Sequence, residues 1–153
     1  MDYLGGLEFG TPRTRQIPGE SIAFIKDDDV LATAWVTEND YDLRRYIFNG
    51  TSWQPQALPP SYNRSGSGLN DGWPTFDLVA HELYFEREGG GATEIARVRV
   101  DADGGIPSTF EVLTQLGMDV GDPDISRDGR RMYVSSRRRA GTDYDLYMFE
   151  RCR

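Results

Sequence analysis

The sequence predicts an all-β fold of repeated four-stranded antiparallel sheets, and three observations support this prediction. Similar segments end at Leu43, Ile95 and Leu146, which lie 52 and 51 residues apart. Short apolar runs alternate with Gly, Asp and Pro turns, and the chain holds 17 Gly, 7 Phe, 8 Tyr and 3 Trp. A period near 50 residues filled in this way is typical of β-propeller blades and argues against a helical solenoid. We therefore expect one propeller-type domain over residues 1–153, with about three blades, as half or a fragment of a larger propeller.

The first blade is predicted over residues 18–58. Its strands are expected at 21–26, 30–36, 43–48 and 53–58. Asn49-Gly50 separates the last two, and this dipeptide is a strong hairpin signal because both residues tolerate a positive φ. Residues 7–17 are a candidate strand that completes the last blade from the other end of the chain, with Pro12 restricting it to an edge.

The second blade is predicted over residues 73–116. Leu83-Tyr84-Phe85 forms the centre of its second strand, residues 95–100 form the third, and alternating apolar side chains predict a fourth at 110–116. Gly89-Gly90-Gly91 has no following Lys-Ser or Lys-Thr, so it is interpreted as a hairpin tip and not as a phosphate loop.

The third blade is predicted over residues 122–150, with strands at 123–126, 132–136 and 145–150. Arg127-Asp128-Gly129-Arg130 is expected to form the tight turn between the first two. Apolar side chains alternate onto both faces of the last two strands. A sheet with two apolar faces is expected between two neighbouring sheets, as in a propeller.

The third blade also carries a family resemblance. The pattern Pro123-x-x-Ser126-x-Asp128-Gly129, followed by an apolar strand and Asp145-Leu146-Tyr147, resembles the repeat of the TolB-like, or WD40-like PD40, β-propellers. The resemblance extends over about residues 18–150. It implies a bacterial module for protein interaction or ligand docking, placed in the periplasm or cell envelope, with no cofactor and no catalytic residues supplied by the repeat.

Several function classes are disfavoured by composition. His81 is the one histidine, which excludes a multi-histidine metal centre, and no nucleophile elbow is evident, so we expect no enzyme activity, cofactor or metal. Net charge is −9 over residues 1–116 and +1 over 117–153, which leaves no contiguous basic face for nucleic acid. No apolar run is long enough to span a membrane, and the first six residues lack signal-peptide character. A lone Cys152 predicts no internal disulfide.

An alternative function rests on acidic residues near the first strands, which line the channel of a propeller. These are Asp71, Asp77, Asp122 and Asp124. Because glycosidases use paired carboxylates, the alternative is a propeller that binds a carbohydrate or small ligand, with glycoside processing included. Acidic loops at 27–29 and 101–105 are calcium candidates, but they lack the downstream Glu of an EF-hand loop, so plain turns are the favoured interpretation.

The main binding hypothesis concerns the long connection at 59–73. Loops between blades and loops between second and third strands lie on the same face of a propeller, so one rim is expected to gather aromatic and arginine side chains, the usual anchors of protein interfaces. The predicted residues are Tyr62, Arg64, Trp73, Arg87, Arg137, Arg138 and Arg139. In the competing interpretation Trp73 packs between blades and residues 65–68 are a linker. Alanine at Tyr62 and Arg64 is expected to reduce partner capture without changing the melting temperature.

The number of blades predicts association. Three blades do not readily close a ring, since propellers have roughly 4 to 8. An open arc would leave apolar sheet faces in water. We therefore expect either self-association, as a homodimer in which two chains complete a six-bladed ring, or a missing partner segment of a longer propeller. The rim residues in addition predict an unidentified protein partner.

Overall fold

The computed structural model describes residues 17–38, 40–63, 69–89, 92–101, 104–113, 119–136 and 144–151. Across these ranges the chain forms three antiparallel sheets of four, four and three strands. In each sheet, strands that are hydrogen-bonded neighbours are also consecutive in the sequence. This confirms the all-β class and the organisation into propeller-blade sheets. The helical structure in the same ranges is one short 3-10 turn, so none of the described helices is long and apolar enough to cross a membrane.

The first sheet contains β1 (Glu20–Lys26), β2 (Asp29–Thr37), β3 (Asp40–Phe48) and β4 (Trp53–Gln56). The predicted Asn49-Gly50 hairpin is confirmed. Gly50 has a φ of 93°, and the Asn49 side-chain oxygen accepts hydrogen bonds from the N–H groups of Thr51 and Ser52, both at 3.0 Å. The side chain thus satisfies the turn's own backbone and fixes the register of β3 and β4.

The second sheet contains β5 (Asn70–Asp77), β6 (Glu82–Gly89), β7 (Ala92–Arg99) and β8 (Glu111–Val112). The predicted fourth strand at 110–116 is represented by the two residues of β8, and residues 114–118 lie outside the described ranges. The turn after β5 uses Asp77, whose Oδ1 accepts the N–H groups of Val79 and Ala80.

The third sheet contains β9 (Val120–Ile125), β10 (Arg131–Ser136) and β11 (Asp145–Glu150). Its predicted Asp-Gly turn is confirmed by the positive φ of Gly129, 67°, and by the hydrogen bond from Ser126 Oγ to Asp128 Oδ1 at 2.7 Å. Residues 7–16 of the predicted closing strand lie outside the described ranges, and Ile17 is not in a strand.

The sheets pack in chain order, with β5 against the first sheet and β9 against the second. Side chains on β6 alternate between two cores: Leu83 and Phe85 enter the core shared with the first sheet, while Tyr84 enters the core shared with the third. Burial of each such side chain contributes about 1.5–3 kcal/mol. The middle sheet is therefore covered on both faces, as its alternation predicts.

Each sheet's first strand has a bulge with a residue in the left-handed region. These bulge residues are Ser21, Trp73 and Asp122, with φ values of 42°, 45° and 47°. Two of them are held by the preceding sheet: Trp73 N–H donates to Thr33 Oγ1 at 2.7 Å, and Asp122 N–H donates to Glu86 Oε2 at 2.8 Å. We call each of these hydrogen bonds an inter-sheet clamp. It offsets part of the cost of left-handed backbone at a residue other than glycine.

A glycine precedes each clamped bulge residue. A Cβ on Gly72 would lie 2.8 Å from a ring carbon of Tyr41, and a Cβ on Gly121 would meet the carboxylate of Glu86. Close approach of the sheets at the clamp thus requires glycine at these two positions.

Candidate acidic cleft at the loop rim

A cleft of about 490 Å³ opens between the second and third sheets, at the edge where β6 ends and β7 and β9 begin. Its walls combine four carboxylates with three aromatic rings. The carboxylates are Glu86, Glu88, Asp119 and Asp122, and the rings are Tyr41, Trp73 and Tyr144. We call this site the acidic cleft.

Strand geometry explains why these side chains meet. Glu86 and Glu88 are two residues apart on β6 and therefore point to the same face of the sheet. Asp119 and Asp122 flank the start of β9, which packs against β6. Tyr41, at the start of β3, reaches across from the first sheet to the two glutamates.

Tyr41 lies between the two glutamates. Its hydroxyl oxygen is 3.2 Å from Glu86 Oε1 and 3.2 Å from Glu88 Oε2, and its ring packs edge-on against Trp73 with centroids 4.4 Å apart. Burial, together with the charges of Glu86 and Glu88, raises the pKa of the Tyr41 phenol. The hydroxyl therefore stays neutral, and its single hydrogen serves one carboxylate at a time.

Glu86 is the buried acid of the cleft, whereas the other three carboxylates are exposed. Burial raises the pKa of its carboxyl to about 7, and the charges of Asp122 and Glu88 act in the same direction, while hydrogen bonds from the Asp122 N–H and the Tyr41 hydroxyl oppose them. A protonated Glu86 donates to the Tyr41 oxygen and leaves the Tyr41 hydrogen for Glu88. Protonation thus relieves the competition between two carboxylates for one donor.

The other acids of the cleft also accept hydrogen bonds from the protein. Asn70 Nδ2 donates to Glu88 Oε2 at 2.9 Å, Thr93 N–H donates to Asp119 Oδ1 at 2.6 Å, and Ser135 Oγ donates to Asp122 Oδ2 at 2.8 Å. In the part of the chain that the structure describes, no group of three or more His, Cys, Asp or Glu side chains is placed to hold a metal ion. The cleft is thus an acidic, aromatic surface whose carboxylates are held in place by donors from the protein.

Two predicted binding residues, Tyr62 and Arg87, lie inside the protein. Tyr62 is fully buried, with its ring tilted against Phe85 and edge-on to Phe110, and its hydroxyl donates to the Pro107 carbonyl at 2.8 Å. Burial raises the pKa of Tyr62 to about 12. Arg87 Nε donates to Asp71 Oδ1 at 2.7 Å, and the guanidinium carbon lies 4.4 Å from the centre of the Phe110 ring. Tyr62 thus fills the core between the first and second sheets, and Arg87 joins β6 to β5 within the second sheet.

Of the remaining predicted binding residues, the structure describes Trp73. Trp73 is half-buried, packs between the first two sheets as the competing interpretation expects, and also lines the acidic cleft. Arg64 and residues 137–139 lie outside the described ranges.

The fold is similar to that of TolB. The crystal structure of TolB from Acinetobacter baumannii matches with a TM-score of 0.58 and 17% sequence identity, over 86% of this chain. The match covers 29% of the TolB chain, so this chain spans under a third of that structure. No family model matches the sequence, and a search of curated proteins gave no match.

Of the four acids of the carbohydrate alternative, Asp122 and Asp124 share one cleft, whereas Asp71 and Asp77 are buried elsewhere. Asp71 is buried against Arg87, and Asp77 is buried at the other end of β5, with its Oδ2 3.0 Å from Arg151 Nη2. Asp122 lines the acidic cleft. Asp124 is exposed on β9 and lines, together with Asp122, a second cleft of about 460 Å³ that the three first strands share.

Sequence reasoning missed Tyr41, Glu86 and Glu88. The signal for Glu86 was present, because it follows Leu83-Tyr84-Phe85 in a strand predicted to be covered on both faces, and a carboxylate there requires partners. Those partners come from other sheets, so their identity depended on the packing.

Proposed function

We propose that the protein is a non-enzymatic TolB-like propeller module that binds a protein partner at its loop rim, through the acidic cleft. The observation that carries this proposal is the joint presence of three aromatic rings and four carboxylates in one cleft at the edge where strand-connecting loops gather. Aromatic side chains in concave, partly desolvated surroundings are the common anchors of protein interfaces. The TolB-like fold is compatible with this use.

The chemistry of the cleft favours a basic segment of the partner. Glu88, Asp119 and Asp122 supply carboxylate oxygens, and the net charge of −8 attracts cationic ligands over a longer range. The half-buried ring of Trp73 and the exposed ring of Tyr144 add surfaces for the stem and head of Lys or Arg. A peptide with an arginine or lysine next to an apolar residue fits both features.

The state of Glu86 favours binding over acid–base catalysis. Its two carboxyl oxygens contact the Asp122 N–H and the Tyr41 hydroxyl. The Glu86 carboxyl on the second sheet is therefore bonded to both the first and the third sheet at the base of the cleft. A carboxyl that carries a clamp between sheets supports the shape of the cleft.

The test uses an array of short peptides that differ in net charge. We expect basic peptides to bind the protein and to bind about tenfold more weakly to a Glu88→Gln/Asp119→Asn variant, with a reduced dependence on salt. The matched control is Asp28→Asn/Glu111→Gln, which removes the same charge from two exposed residues away from the cleft. Equal affinity of both variants, or no preference for basic peptides, would contradict the proposal.

The carbohydrate or small-ligand function is kept as a second candidate because the same cleft joins aromatic rings to acids. Sugars stack on aromatic faces and donate hydroxyl hydrogens to carboxylates. Titration of a panel of oligosaccharides, followed by tryptophan fluorescence, tests it. Saturable binding that Trp73→Ala abolishes, with basic-peptide binding absent from the wild type, would favour this candidate over the first.

A further inference from the structure

One sequence pattern occurs in two different environments. Tyr41 and Leu43 in the first sheet recur as Tyr144 and Leu146 in the third. Tyr41 and Leu43 are 5% and 0% exposed, whereas Tyr144 and Leu146 are 57% and 75% exposed. The same side chains are thus buried in one sheet and in contact with water in the other.

The difference is the presence of a following sheet. In the first sheet, the ring of Tyr41 is covered by Gly72 and Trp73 at the bulge of β5. In the second sheet, Ile95 occupies the position of Leu43 and is buried in the core shared with the third sheet. Leu146 occupies the same position in β11. Its exposure marks a face that is shaped for a further sheet.

The third sheet also carries the acceptor half of an inter-sheet clamp. Thr33 pairs with Leu43, Glu86 pairs with Ile95, and Ser135 pairs with Leu146 in the strand registers. Thr33 and Glu86 are the acceptors of the two clamps already described. Ser135 therefore places a hydroxyl oxygen where the next sheet's bulge N–H is expected.

The donor half lies on the opposite end of the arc. Ser21 in β1 has the left-handed φ of the other two bulge residues, with the exposed side chains of Ile22 and Phe24 directly after it. No earlier sheet in the described residues covers this strand, since the first sheet begins with β1. The two end faces thus carry the acceptor and the left-handed bulge residue of the interface that the molecule already uses twice, with Glu20 in place of its glycine.

We propose that a second copy of this chain docks head to tail, with its first sheet on the third sheet and its Ser21 N–H donating to Ser135 Oγ. Its β1 would then cover Leu146, while the ring of Tyr144 stays at the acidic cleft that it lines. Two such contacts, related by a twofold axis, close a ring of six sheets, which lies within the range of propellers. Glu20 stands where the clamped sheets have Gly72 and Gly121, so its Cβ leaves no room for the ring of Tyr144 to pack as the ring of Tyr41 packs on Gly72.

The first experiment measures absolute mass by size exclusion with light scattering over a concentration series. We expect twice the chain mass of 17.3 kDa for the wild type and a single-chain mass for Leu146→Asp. Val79→Asp is the matched control, because it places the same charge at an exposed apolar residue in the β5–β6 turn, and we expect it to remain a dimer. A wild type that is monomeric at every concentration, an open-ended polymer, or a dimer that Leu146→Asp leaves intact would overturn the proposal.

A second experiment tests the orientation. In a Cys152→Ser background, we expect Ser21→Cys and Ser135→Cys together to give an intermolecular disulfide on mild oxidation. Crosslinking by either single variant alone would show a head-to-head or tail-to-tail dimer and overturn the head-to-tail arrangement. Both experiments are independent of the proposed partner function, since neither measures binding of a basic peptide.

Discussion

At the scale of single residues, the contacts of a polar side chain could be predicted from the sequence when its partners are close in the chain, but not when they are distant. The tight turn at residues 127–130 was predicted and is confirmed, because the side chains that hold it, Ser126 and Asp128, bond to neighbours in the chain. Tyr62 and Arg87 were predicted on the rim, yet they are buried by Phe85, Phe110 and Asp71. Phe110 and Asp71 are far in sequence from the side chains that they cover, so pattern alone did not reveal that these residues face inward.

Glu86 makes stability depend on pH. Its folded pKa of about 7 lies above the ordinary value of 4.5, so the folded state binds a proton that the unfolded state releases between these two pH values. The free energy of unfolding therefore falls as pH rises through this window, by roughly 3 kcal/mol in all, at about 1.4 kcal/mol per pKa unit. We expect Glu86→Gln to remove this part of the pH dependence, as measured by urea unfolding at pH 5 and pH 8. Identical pH profiles for wild type and variant would contradict the assignment, and the exposed Glu111→Gln serves as control.

Alanine at Tyr62 was expected to leave the melting temperature unchanged, but the burial of this side chain predicts a loss of stability. Because its ring fills the core beside Phe85, Tyr62→Ala is expected to leave a cavity and lower the free energy of unfolding by about 3–5 kcal/mol. Tyr46→Ala removes the same ring from a half-buried position on β3 and is expected to cost less than half as much. Thermal unfolding of both variants measures the difference, and a melting temperature unchanged in Tyr62→Ala would restore the original expectation.

At the scale of elements, the residue types at turns predicted where the strands begin and end, but they did not predict the bulges. Dipeptides such as Asn49-Gly50 and Asp128-Gly129 place turns because glycine tolerates a positive φ. Trp73 and Asp122 adopt a positive φ without being glycine, and their cost is offset by an acceptor in another sheet. The repeated Gly-x-Pro of residues 72–74 and 121–123 was the available signal for these bulges.

The clamp between the first two sheets is tested by Thr33→Val. This change keeps the shape of the side chain but removes the acceptor of the Trp73 N–H, which then remains buried without its hydrogen bond. We expect a loss of about 1–3 kcal/mol in the free energy of unfolding. Thr51→Val makes the same chemical change in the exposed β3–β4 turn and is expected to have a much smaller effect. Equal effects from the two variants would show that the clamp does not stabilise the packing of the sheets.

At the scale of the whole molecule, the period of the sequence predicted how many sheets form, while their association depends on side chains far apart in the chain. Arg151 is such a side chain: it follows β11 in the third sheet, and its Nη2 lies 3.0 Å from Asp77 Oδ2 and 2.9 Å from Glu82 Oε2 on the second sheet. The same nitrogen donates to the Tyr84 hydroxyl at 2.6 Å. The third sheet is therefore joined to the second through a partly exposed arginine and a buried carboxylate.

Arg151→Met is expected to loosen the third sheet selectively. The change leaves the buried Asp77 carboxylate without its cation, and because the Arg151 side chain is partly exposed, we expect a cost of about 1–2 kcal/mol, which is less than for a fully buried pair. Amide hydrogen exchange in β9–β11 should then accelerate roughly tenfold while exchange in β2 and β3 stays the same, since sheets open as local units. Arg131→Met is the matched control, because Arg131 pairs with Glu150 at 3.4 Å on the exposed surface of the same sheet. Equal acceleration by both variants, or acceleration spread over all three sheets, would show that Arg151 does not carry the contact between the second and third sheets.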